Sequence, residues 1–210
     1  EYGCGDIGNQ GPHQYDVARW GLGDPGHPVK VHSTGGYFKF ESDQETPNTQ
    51  IATYDYADGR QMVFEVRGLY ANDEDGIRIG NLFYGEDGWM HLNGSTWRTY
   101  FGRKNEPGPT SDNADSIKEW VETDPPPGTG SPFANFVEAV RAEDQSLVNS
   151  SIESGFTSCV LPHMANISYR VNSELRFDPA SERFTGYNSW AANELVSRSY
   201  RAPFTMPSSI

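Results

Sequence analysis

The chain has 210 residues, 35% of them hydrophobic and 13% aromatic, with 22 Gly, 14 Pro and a formal net charge of −13. That length and apolar content exclude a disordered chain and give one domain over residues 1–210 as the expectation. The acidic balance, with Lys and Arg scattered, argues against nucleic acid and anionic membranes as partners, and no apolar run approaches the roughly 20 residues of a membrane span.

The first element is a helix over 12–22. It follows the glycine-rich stretch "GCGDIGNQG" and has Pro12 at a first-turn position. His13, Val17 and Trp20 fall on one face of it, with Asp16 and Arg19 off that face. Tyr15 and Trp20 are expected in the core.

Residues 28–102 change to strand periodicity and give an antiparallel meander of about five or six strands. "IATYDYADGRQMVFEVRGL" reads as a hairpin around Asp58-Gly59, with Met62, Phe64 and Val66 on one face and Glu65 and Arg67 on the other. Residues 103–130 are Pro/Gly-rich and expected to be an irregular insertion. It holds one short helix, "SIKEWVE", with Ser116 and Glu119 as a capping box.

Two longer helices follow. In "SPFANFVEAVRAED", Ser131 is the expected N-cap, and Phe133, Phe136, Val137 and Val140 form the expected buried face. In "SSIESGFTSCVLPHMANISYRV", Ser150 and Glu153 form the expected capping box. Its apolar stripe is Ile152, Phe156, Cys159, Val160, Met164, Ile167 and Val171, and Pro162 is expected to bend it. The tail mixes a short strand, a helix near 189–198 and an extended end.

The resulting fold class is α/β of the α+β type: an open, mainly antiparallel sheet with helices packed on one face. The other face is available for a partner subunit. Cys4 and Cys159 share no metal-ligand spacing with the five His, so free thiols are expected, with a disulfide left open.

"DIGNQGPHQYDVARWGLG", "DQETPNTQIATYDYADGRQMVFEVRGL", "GNLFYGEDGWM", "FANFVEAVRAED", "HMANISYRVNSELRFDP" and "YRAPF", in that order, resemble the C-terminal domain of the Gfo/Idh/MocA family of NAD(P)-dependent oxidoreductases. The resemblance runs along essentially the whole chain. It implies a dihydrodipicolinate-reductase/glyceraldehyde-phosphate-dehydrogenase-like C-terminal fold that binds substrate and oligomerises through its open sheet face. The substrate class it implies is a sugar, inositol or related polyol. The family's Rossmann domain and Glu-Lys-Pro lysine have no counterpart here. The chain is therefore expected to be an inactive fragment that holds no cofactor, with NAD or NADP bound elsewhere in a bacterial, cytoplasmic or periplasmic parent.

Gly3, Gly5 and Gly8 superficially match a dinucleotide fingerprint, but no strand can precede them. The family's substrate loop carries an Asp-x-Gly-x-His pattern. His13 matches its His and Gly11 its Gly, while Asn9 stands where the Asp would be. Asn has no acid or base function and only orients. His13 is accordingly the expected catalytic residue.

Asn9, Gln10, Asp6 and Asp16 are the expected substrate-binding residues. Asp6 is also open to a turn-holding role, and Asp16 to orienting His13 or facing water. The polar stretch "ESDQETPNTQ" (41–50) is a second candidate, with a solvated loop as its plainer reading. His27, His32, His91 and His163 read as packing or surface histidines. Two other functions stay open: an NAD-dependent glycoside hydrolase of the same family, and a non-catalytic association or carbohydrate-binding module.

Overall fold

The fold is taken from a computed structural model that describes residues 3–41, 43–68, 74, 76–94, 96–112 and 131–206. The expected helix at 116–122 lies outside the described residues. The class is α/β with antiparallel strands, but the strands form two sheets where the sequence pattern implied one. The chain divides into two compact units. One comprises residues 1–12, 24–70 and 160–210, the other 13–23 and 71–159.

In the first unit, β1 (Lys30–Gly36), β2 (Thr49–Asp55), β3 (Gln61–Arg67), β8 (Leu175–Asp178) and β9 (Arg183–Thr185) make a sheet of order β3-β2-β1-β8-β9. Every pairing in it is antiparallel. The β2–β3 hairpin pairs Asp55 with Gln61, and Gly59 turns it at φ 90°. Alternation sorts the faces as expected, with Met62 buried and Val63 exposed.

The inner face carries Val31, Ala52, Tyr54 and Leu175, all at most 1% exposed. Helix α4 (Ile152–Val171) contributes Leu161, Met164, Ala165 and Ser168 to the same core. Several of its polar groups are paired, while the buried Gln50 Oε1 and Asn166 Oδ1 have no hydrogen-bond partner among the described residues. The Tyr54 hydroxyl donates to the Leu161 carbonyl at 2.9 Å, and the Ser33 backbone N–H donates to Ser168 Oγ at 3.0 Å. Gln50 Nε2 donates to Ser33 Oγ at 2.8 Å. Helix α5 (Ser189–Glu194) packs on β9, and α1 (Asp6–Asn9) on β3 with Ile7 fully buried.

In the second unit, β4 (Asn81–Tyr84), β5 (Gly88–Asn93), β6 (Thr96–Phe101) and β7 (Glu106–Thr110) form a simple antiparallel meander. The stretch expected to be irregular from 103 thus opens with a strand. β7 tolerates Pro107 and Pro109 because it is an edge strand, where a missing N–H costs no ladder bond, and Thr99 Oγ1 donates to the Pro109 carbonyl at 2.7 Å.

Three expected helix faces are turned. On α2 (Gly11–Gly21) Tyr15 and Arg19, four apart, are the buried side chains beyond Gly11, while Trp20 is 62% exposed. On α3 (Pro132–Ala142) Asn135 and Ala139 are buried, and Phe133, Phe136, Val137 and Val140 face outward. On the first half of α4 Ser158 is buried while Ile152 and Phe156 are exposed. In each case a polar side chain with specific partners takes the inner position that apolar spacing alone assigned elsewhere. At the start of α4, Ser151 rather than Ser150 caps, its Oγ accepting from the Ser154 N–H at 3.2 Å.

Candidate active site

The segment of residues 3–12 is shaped by close packing. Gly5 has φ 75° and precedes α1; a Cβ there would stand 2.5 Å from Thr46 Oγ1. A Cβ on Gly8 would stand 2.5 Å from the Cβ of Cys4. Neither glycine opens onto space for a pyrophosphate. Their duty is to admit the side chains of Thr46 and Cys4, and the four-residue α1 is no dinucleotide-binding helix. These residues do not fit the nicotinamide cofactor that the Gfo/Idh/MocA resemblance implies.

Asp6 lies in the first turn of α1, and its carboxylate fills the space beside Gly68. Asn9 is exposed at the end of α1, and Gln10 is half-buried. All three belong to the first unit. So does the loop at 41–50, and there the solvated reading holds for only half of it. Glu41, Asp43, Gln44 and Glu45 are exposed, while Thr46, Pro47 and Asn48 are buried. Asn48 makes a two-way bridge to the backbone of Phe38, at 3.2 Å in each direction.

Cys4 is buried and lies 3.1 Å from Nδ1 of His163 on α4. Burial pushes the Cys4 thiol above its ordinary value, an effect partly offset by the Arg170 charge. Partial burial pushes His163 down. Neutral thiol and neutral imidazole are thus the matched pair. Both cysteines are free thiols.

His13 stands exposed on the first turn of α2, in the second unit. Asp16, one turn along the same helix, is engaged: its Oδ1 accepts from Ser158 Oγ at 2.6 Å and lies 3.8 Å from Arg19 Nη1. Arg19, only 2% exposed, donates from Nη1 to Ser158 Oγ at 2.5 Å and to the Ser154 carbonyl at 2.8 Å. Asn81 of β4 holds the other flank of α2, its Nδ2 donating to the Gln14 carbonyl at 2.9 Å. Sequence reasoning missed Arg19 and Ser158. The available signal was the Asp16/Arg19 pair at i, i+3, off the His13/Val17/Trp20 face. Among the described residues no cluster of three or more His, Cys, Asp or Glu could hold a metal ion, and no helix is long and apolar enough to cross a membrane.

The arrangement is one exposed imidazole on a firmly seated helix, and a separate short helix presenting an amide side chain. The chain as a whole matches the fold of several solved oxidoreductases. A candidate NADPH-dependent oxidoreductase from Desulfitobacterium hafniense superposes with a TM-score of 0.56 at 12% identity, over 85% of this chain and 49% of that one. An oxidoreductase from Agrobacterium radiobacter, solved with NAD+, L-tartaric acid and magnesium, gives 0.54 at 13% identity over 83% and 49%. Aldose-aldose oxidoreductase from Caulobacter crescentus, solved with glycerol, gives 0.51 at 15% identity over 80% and 46%. This chain spans about half the length of these structures. No curated protein matches the sequence. The family model of the oxidoreductase C-terminal alpha/beta domain matches residues 91–206, more than half of the chain. The chain belongs to the Gfo/Idh/MocA oxidoreductase family, as its C-terminal alpha/beta domain.

Proposed function

We propose that this chain is the substrate-binding part of an NAD(P)-dependent oxidoreductase acting on a sugar, inositol or related polyol. His13 is the group that accepts the proton leaving the substrate hydroxyl. The observation that carries this reading is the exposed His13 imidazole on the first turn of α2, in a chain of an oxidoreductase family. The aldose-aldose oxidoreductase among the similar folds supports the substrate class.

The chemistry asked of this chain is binding, orientation and proton transfer. A neutral imidazole near pH 7 is matched to a general base. Asn9 and Gln10 supply amide groups able both to donate to and to accept from hydroxyls. Asp6 supplies an acceptor or holds the turn. Asp16, already engaged by Ser158 and Arg19, is assigned to seating α2 rather than to touching substrate. The dinucleotide is assigned to a part of the full-length enzyme outside this chain, because Gly5 and Gly8 are filled by neighbouring side chains.

The test is His13→Ala in the full-length enzyme, with NAD(P)H formation from myo-inositol and from free aldoses as the readout. Loss of a general base lowers kcat by about 10²–10⁴-fold. His13 is exposed, so thermal stability should stay within about 0.5 kcal/mol of the parent. A variant that keeps full kcat would remove His13 from the mechanism.

A further inference from the structure

We propose that Arg19 is a positioning residue for His13, acting through Asp16 and Ser158; this rests on His13 being the base. Burying a guanidinium is costly unless it is paired and fully hydrogen-bonded. Here the buried charge is bonded through Nη1 to Ser158 and the Ser154 carbonyl, on a helix that has an apolar alternative in Trp20, which lies outside at 62% exposure. A helix needing only to be packed would bury the indole and leave the charge in water.

What the buried arginine achieves is specific. With Ser158, itself 3% exposed, it gathers the Asp16 carboxylate: Ser158 Oγ donates to Oδ1 at 2.6 Å, and Nη1 stands 3.8 Å from the same oxygen. Residues three apart on a helix are neighbours on its surface, so a released Asp16 can turn towards His13 and pair with its imidazolium. That pairing would charge the very group that has to accept a proton. The network removes the competitor. Through the Ser154 carbonyl and Ser158 hydroxyl it also fixes the rotation of α2 against the first half of α4.

Imidazole ¹⁵N and ¹³C resonances report this directly. In the isotopically labelled 210-residue chain at constant pH, Ser158→Ala and Arg19→Met are expected to move the His13 signals. The His27 and His32 signals stay in place, because a general loosening of the fold would move those as well. Arg19→Lys restores the His13 signals in part, since Lys keeps the charge but not the fork. In the full-length enzyme Ser158→Ala lowers kcat about 10–100-fold with KM little changed, the cost of a misplaced catalytic group. Should Arg19→Met fail to fold, Ser158→Ala decides alone. His13 signals that stay fixed in folded Ser158→Ala overturn the proposal. His13 signals that move, with kcat of His13→Ala unchanged, overturn the base assignment instead.

Discussion

Cys4 and His163 show how much a single contact can add to a residue that looked inert. The 3.1 Å approach of Sγ to Nδ1 joins the segment before α1 to α4 within the first unit. Its pH dependence follows from the two shifts. Cys4 is raised from 9.0 by burial, so its contribution is complete below pH 9 and is lost as pH rises further. His163 is lowered from 6.5, so its contribution is present above pH 6.5 and is lost as pH falls below that. Burial therefore favours the neutral forms of both groups, with no loss of stability from ionising either, between about pH 6.5 and 9. In urea unfolding, the advantage of the parent over Cys4→Ala should shrink above pH 9, and that over His163→Gln should shrink below pH 6.5. Midpoint differences that stay flat from pH 5 to 10 would contradict this. The sequence showed two thiols without a metal pattern, and His163 as a packing histidine. It had no means of showing that residues 159 apart meet. The first-turn position of His13 on α2 was legible, whereas the burial of Arg19 was not, since a charged residue is by default placed in water.

At the scale of elements, α2, α3 and α4 were legible in position and illegible in orientation. The α3 sequence has strong 3.6-residue periodicity, and its bounds, Ser131 N-cap position and Pro132 are where the pattern puts them. Yet the helix is seated by Asn135. Its Nδ2 donates to the Leu147 carbonyl at 2.7 Å, and its Oδ1 accepts from the Asn149 N–H at 3.0 Å. Those partners lie in and after a short 3₁₀ turn at Gln145–Leu147, beyond the reach of any helical periodicity. Phe133 and Phe136 are 82% and 63% exposed. The energetic order of substitutions is thus inverted relative to hydrophobicity. Asn135→Ala should destabilise the chain by about 1–3 kcal/mol, the cost of leaving buried backbone groups unpaired. Phe136→Ser should change stability by no more than about 0.5 kcal/mol. Thermal unfolding of the two variants side by side checks this, and a larger loss for Phe136→Ser would mean that the outward face is covered.

At the scale of the whole molecule, alternation in the sequence defines strands and their two faces, but not which edges meet. The local hairpins β2–β3, β4–β5 and β5–β6 were readable from their turns. The pairing of Lys30 with Arg176 was not, nor was the division into two sheets. Burial separates the two units as well. Among the described residues, the inner face of the first sheet and the second half of α4 supply most of the buried apolar side chains, whereas those of the second unit are Tyr15 and Ala139. β2 and β5 make a controlled comparison, since each is hydrogen-bonded on both sides and they differ in burial. β2 has three buried residues and β5 none. Ladder bonds are similar in the two, so any difference in opening free energy reflects the packed side chains above them. Burial of Ala52 and Tyr54 on β2, at 0% exposure each, is expected to slow exchange of β2 amides at least about 100-fold relative to those of β5, equivalent to about 2.7 kcal/mol of extra local stability. Native-state hydrogen exchange measures both strands in one experiment. Equal protection would show that the backbone ladder, and not the core beneath it, sets the local stability of this domain.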